Sequence, residues 1–137
     1  MSASPSGRGG SKIDEYSTEG KLEGSFERKA YGEHESFDYR ALAVDPAGNI
    51  WATDQHNYQI DEFSPKGTFI AAYGTAGSGQ KEFNGPDGIA IDHEEHIYVA
   101  DINNHRILEL STTGVFIREF GFQGRECQIN GGCAWWF

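Results

Sequence analysis

A single register, 47 residues long, repeats along this chain and limits what it can become. Ile13-Asp14-Glu15-Tyr16-Ser17 lies over Ile60-Asp61-Glu62-Phe63-Ser64 and then over Ile107-Leu108-Glu109-Leu110-Ser111, with 47 residues between successive copies. The same spacing carries Gly20 to Gly67 to Gly114, and Phe26 to Tyr73 to Phe120. It carries Leu42-Ala43-Val44-Asp45 to Ile89-Ala90-Ile91-Asp92, and Ile50-Trp51-Ala52-Thr53-Asp54 to Ile97-Tyr98-Val99-Ala100-Asp101. Asn57 falls on Asn104. A period in this range marks an architecture of stacked units, none of which can bury its apolar face alone.

Each unit holds four short apolar runs of strand length and strand composition. In the middle copy they are Ala41 to Val44, Asn49 to Thr53, Gln59 to Phe63 and Thr68 to Tyr73. Turn signals separate them. Asp45-Pro46-Ala47-Gly48-Asn49 and Ser64-Pro65-Lys66-Gly67 each supply a proline that fixes φ and a glycine that accepts positive φ. Gly74-Thr75-Ala76-Gly77-Ser78-Gly79-Gln80 is Gly-rich and polar, and reads as the loop between units. No window keeps a helical period. Four strands per repeat of this length predict an all-β fold, a partial (open) β-propeller of four-stranded antiparallel blades.

Composition agrees. The chain has 137 residues, 18 of them glycine, with 13% aromatics, which suits short strands and tight turns. No run approaches the apolar length a membrane helix needs. Residues 1–11 are Ser/Gly-rich and are expected to form a flexible segment; they do not read as a secretory signal, and the sequence assigns no compartment. A net charge of −10 makes this an acidic protein and disfavours phosphate backbones, so nucleic acid is not an expected partner. Cys127 and Cys133 lack the Cys-x-x-Cys spacing of redox or zinc motifs, and a small disulfide loop and two free thiols both remain open.

The third copy resembles one NHL repeat. The residues that carry the likeness are Pro86-Asp87-Gly88-Ile89-Ala90-Ile91-Asp92, Ile97-Tyr98-Val99-Ala100-Asp101, Asn104-His105-Arg106-Ile107, Gly114-Val115-Phe116 and Phe120-Gly121. The middle copy is looser, with Tyr39 for Pro86 and Gln59 for Arg106. The resemblance covers residues 12 to 124 and implies propellers of about six blades. It places the end of a first blade at 12–26, a second blade at 41–73 and a third at 88–120. Ile129-Asn130-Gly131-Gly132 is similar to Phe83-Asn84-Gly85-Pro86, so the tail 125–137 is expected to open a truncated fourth blade. Too few blades to close a ring would leave open edges, which invite pairing with another chain. The chain is then a fragment of a longer propeller, a truncated product, or a unit that self-associates to complete a ring.

Residues held between copies read as structural, and those that vary are free to serve a ligand. Asp54 and Asp101, each with an Asn three residues later, are expected to bond turn backbone, as are Asp45 and Asp92. His93-Glu94-Glu95-His96 invites a metal reading, but it sits in a short turn where the other copy has Pro46-Ala47-Gly48-Asn49. Trp51 and Tyr98 share a position and are expected to pack between sheets. Trp135-Trp136-Phe137 would be exposed unless something covers them. The candidate binding residues are His56, Tyr58, Asn103, His105 and Arg106, in the connections between second and third strands, on the face where the family binds partners. Tyr58 and Arg106 are the expected anchors. No catalytic motif, metal site or cofactor is assigned. The expected function is a non-enzymatic scaffold for a protein or small ligand. The alternative is a fragment of a propeller enzyme, a metal-dependent lyase or lactonase-like protein.

Overall fold

The computed structural model describes residues 2–6, 10–28 and 36–121. The tail from residue 122, with Cys127, Cys133, the expected fourth-blade opening and the aromatic end, lies outside the described residues, as does His34. The first sheet holds β1 (Ser2–Ser6), β2 (Gly10–Tyr16) and β3 (Leu22–Phe26) in the order β1-β2-β3. The second holds β4 (Tyr39–Val44), β5 (Ile50–Asp54), β6 (Gln59–Phe63) and β7 (Phe69–Tyr73), antiparallel and in chain order. A parallel pair, β8 (Thr75–Ala76) and β9 (Glu82–Phe83), fills the connection to the next sheet. The third sheet holds β10 (Pro86–Ile91), β11 (His96–Asp101), β12 (Arg106–Ser111) and β13 (Phe116–Phe120), again in chain order. A 3-10 turn, Ile102–Asn104, joins β11 to β12.

These are three successive blades of an open β-propeller. The repeat holds in space: β6 starts at Gln59 and β12 at Arg106, and β7 starts at Phe69 and β13 at Phe116. The sequence reading differs in two places. The first strand of each full blade starts earlier than expected, because a bulge after Tyr39 and another after Pro86 let the chain pair again further back. The Ser/Gly-rich start of the chain also supplies a strand, since Ser2–Ser6 pairs with β2, which itself begins at Gly10. Backbone ladder bonds need no apolar side chain, so composition did not reveal this strand.

The turns follow their chemistry. Gly48 takes φ 90° and its N–H bonds Asp45 O at 2.9 Å. Its counterpart Glu95 takes φ 64° and closes the same turn onto Asp92 O.

Alternation along each strand sends neighbours to opposite seams. Ile60 joins Trp51, Phe83, Ile97, Val99, Leu108 and Leu110 between the second and third blades. Ile50, Ala52 and Phe63 face the other way, meeting Ile13 with Phe37 and Tyr39 between the first and second. The core is thus two inter-blade seams, and each blade depends on its neighbour.

Candidate functional site

The second-to-third strand connections and the inter-blade loops meet at one end of the blades, and one device holds them in both copies. Asp54 Oδ1 accepts the Asp38 N–H at 3.0 Å, and Asp54 Oδ2 accepts Asn57 Nδ2 at 2.7 Å. Asn57 Nδ2 also donates to Ser36 O at 2.8 Å. In the third blade, Asp101 accepts Asn84 N–H at 2.7 Å and Asn104 Nδ2 at 2.8 Å, and Asn104 Nδ2 donates to Gly77 O at 2.8 Å. Each buried aspartate therefore orients an asparagine that grips the loop leading into its own blade. The expected structural role of these residues is what the geometry provides.

Arg106 adds to the third-blade clasp. Its Nε meets Asp101 Oδ2 at 3.1 Å, and its guanidinium donates to Ser78 O, Gly79 O, Glu82 O and Glu119 Oε2 at 2.7–2.8 Å. Its side chain is only 7% exposed. The sequence reading made Arg106 an exposed anchor; instead its donors are taken up inside the chain. Burial here is set by three carbonyls of a distant loop, which no local pattern displays.

The other four candidates occupy the same end of the blades. His56, Tyr58, Asn103 and His105 are all exposed. Tyr58 and His105 are counterparts 47 residues apart and share a left-handed backbone, φ 57° and 53°. Asn103 is tied by its N–H to Asn84 O at 3.0 Å. Ile102, beside it, is an exposed apolar side chain that the sequence reading left out.

Below this surface lies a buried polar cluster, also unforeseen. Asp61 is fully buried where the third blade has Leu108. Its carboxylate accepts Tyr39 Oη at 2.9 Å and Gln59 Nε2 at 3.0 Å, with Arg28 Nη1 at 3.4 Å. Arg28 in turn lies over the Phe69 ring, 4.3 Å from its centroid. Burial pushes the Asp61 carboxyl up to about 6, against the pull of the Tyr39 hydrogen bond and the Arg28 charge. Burial, then the Asp61 charge, also raises the Tyr39 phenol. The sequence carried a signal: Tyr39, Gln59 and Asp61 are all places where the second blade departs from the third.

At the opposite end, Asp92, Glu94 and His96 place a ligand atom each within 4.8 Å of one another. Comparison with the second blade gives His96 a simpler role. Asn49 Nδ2 donates to Glu62 Oε1 at 3.0 Å, and His96 Nδ1 stands 3.2 Å from Glu109 Oε1 at the matching position. The aromatic of β5 or β11 reaches the turn aspartate in both copies, Trp51 Nε1 to Asp45 Oδ2 at 3.0 Å and Tyr98 Oη to Asp92 Oδ2 at 3.2 Å. Backbone bonds, first that of His96, hold the Asp92 carboxyl below its ordinary value.

Comparison with known proteins agrees with this architecture. Among solved structures, virginiamycin B lyase from Staphylococcus aureus is similar, with a TM-score of 0.60 and 18% identity over 83% of this chain and 35% of that one. A catalytically inactive form of that enzyme with quinupristin gives a TM-score of 0.61 and 20% identity, again over 83% and 35%. A Bacteroides caccae protein of unknown function gives 0.58 and 16%, over 81% and 38%. The chain spans little more than a third of these structures, and the likeness is one of fold. No curated protein sequence matches the chain. Residues 42–129, more than half of the chain, match the family described as 6-bladed beta-propeller. The chain belongs to that family of six-bladed β-propellers.

Proposed function

We propose that this chain is a non-enzymatic, NHL-type propeller segment that binds a protein or small ligand on the end carrying His56, Tyr58, Ile102, Asn103 and His105. The observation that supports this most is the division of labour at that end. Asp54, Asn57, Asp101, Asn104 and Arg106 take up their polar groups within the chain, and the residues between them project outward. A fixed frame with varied exposed side chains lowers the ordering cost of binding. The Asn104-His105-Arg106-Ile107 element supports the NHL assignment.

An array of random-sequence peptides probed with the labelled chain tests this. The variant should be H56A/Y58N/N103A/H105N, because asparagine tolerates the left-handed backbone at the second and fourth positions. We expect the parent to hold a subset of peptides and the variant to lose them at least tenfold. An unchanged pattern overturns the proposal.

A second reading, a fragment of a metal-dependent lyase-like enzyme, draws on the buried Asp61 with its raised pKa beside Tyr39 and on the fold of the lyase neighbours. Calorimetric titration with Mg²⁺, Ca²⁺ and Zn²⁺ separates the two, since binding lost in Asp61→Asn would favour the enzyme.

A further inference from the structure

Among the described residues, Asn84-Gly85 is the one place where glycine follows asparagine, and it lies in the connection that the third blade clasps. The fold requires the glycine. Gly85 takes φ 84°, and a Cβ there would stand 2.6 Å from Asn103 Nδ2 and 3.2 Å from Ile102 Cγ1. Asn84 is exposed to water. Among the described residues, neither the Gly85 N–H nor Asn84 Nδ2 has an acceptor; Asn84 Oδ1 receives only a long contact from Asn103 Nδ2, at 3.4 Å. Asparagine is a thermolabile side chain, and a neighbour without a Cβ leaves its own nitrogen free to approach the amide.

The pair is pinned on one side. Asn84 N–H donates to Asp101 Oδ1 at 2.7 Å, Asn84 O accepts the Asn103 N–H at 3.0 Å, and Gly85 O accepts the Ile102 N–H at 3.2 Å. In the second blade the matching bond to Asp54 Oδ1 comes from Asp38, an acid whose own carboxylate is paired by Arg40 at 2.7 Å. The third blade has Asp87 at the place of Arg40. It therefore accommodates a neutral amide at residue 84 and supplies no matching cation for a carboxylate.

We infer that Asn84 is a site of spontaneous covalent modification, converted through a cyclic imide to aspartate and isoaspartate, and that the conversion loosens the inter-blade connection from the third blade. The Gly85 nitrogen gives its proton to hydroxide and bonds to Asn84 Cγ. The Cγ–Nδ2 bond breaks, and the amide nitrogen leaves as ammonia. Water then adds to one of the two imide carbonyls. Opening at Cγ gives aspartate. Opening at the main-chain carbonyl gives isoaspartate, whose backbone runs through Cβ and is one atom longer. Nothing is oxidised or reduced. Both products place a new negative charge next to Asp101. The longer backbone also separates the Asn84 N–H from the Gly85 carbonyl, and the fixed spacing of Asp101 and Ile102 cannot match both.

The test uses the 137-residue chain with Asn130→Gln, which removes the Asn130-Gly131 pair outside the described residues. The protein is aged at mildly alkaline pH and followed by tryptic mass spectrometry. We expect the peptide Glu82–Arg106 to gain about one dalton, with fragment ions placing the gain on Asn84 at least tenfold faster than on Asn103 or Asn104. Enzymatic carboxyl methylation should detect isoaspartate in the same peptide. The acidic fraction, separated by anion exchange, should be cut by trypsin after Lys81 at least threefold faster than fresh protein. Asn84→Ser keeps Gly85 and removes the amide, so it should accumulate neither product. A gain at Asn84 no faster than at Asn103 and Asn104 overturns the modification site. An acidic fraction cut after Lys81 at the rate of fresh protein overturns the loosening.

Discussion

Tyr39 donates its phenol proton to Asp61 at 2.9 Å inside the seam between the first two blades, where the next seam has only Leu108 and its apolar neighbours. This pair fixes a pH dependence with a definite sign. Burial pushes the Asp61 carboxyl from 3.8, its ordinary value, up to about 6 in the fold. As pH rises through that window the unfolded chain loses the proton first. The stability Asp61 contributes is therefore complete below pH 4 and falls by on the order of 3 kcal/mol by pH 7. Asp61→Asn should remove this slope, so that the variant gains on the parent between pH 4 and pH 7 in urea midpoints. Asp14 and Asp92, both held below the ordinary value, act in the opposite direction and remain in both proteins.

Arg106→Lys keeps the charge and loses the planar fork that reaches three carbonyls and two carboxylates. We expect a loss of about 2–4 kcal/mol in denaturant unfolding. Proteolysis should become faster between Ser78 and Lys81, the stretch the guanidinium ties down.

Asn57→Ala and Asn104→Ala should each cost about 1–2 kcal/mol, since each leaves a buried aspartate short of a donor. Asn104 and Arg106 share Asp101 Oδ2, so their double substitution should be non-additive, whereas Asn57 and Asn104 act in separate blades and should add. Thermal melts of the single and double variants decide this.

Glu95 holds a positive φ where the second blade uses Gly48. Glu95→Gly should stabilise by roughly 0.5–1 kcal/mol through relief of that strain. Gly48→Ala should destabilise by about 1–2 kcal/mol. Equal melting temperatures for Glu95→Gly and the parent would sink the first expectation.

The repeat makes most of the frame legible from the sequence alone. Strand order, turn glycines and the Asp54–Asn57 and Asp101–Asn104 pairs all follow from residues that recur at one spacing, because the same backbone geometry demands the same side chains. Arg106 reads as an exposed anchor in the sequence because three of its five partners are main-chain carbonyls of a distant loop, and those carry no sequence signature. Asp61 was overlooked for the opposite reason. A charged residue aligned with Leu108 is visible, but its meaning depends on Arg28, which reaches it across the seam from the first blade. The strand Ser2–Ser6 rests on backbone pairing alone, and its composition resembles a linker.

The asparagine clasps also bear on how such a protein could diversify. Asn57 and Asn104 hold the loops ahead of them by the carbonyls of Ser36 and Gly77, and every amino acid supplies that atom. A loop of unrelated composition could therefore be grafted into the same anchor points without changing the blade that holds it. The end of the fold that carries the candidate residues is thus the end at which new specificities could be installed with least disturbance to the two seams.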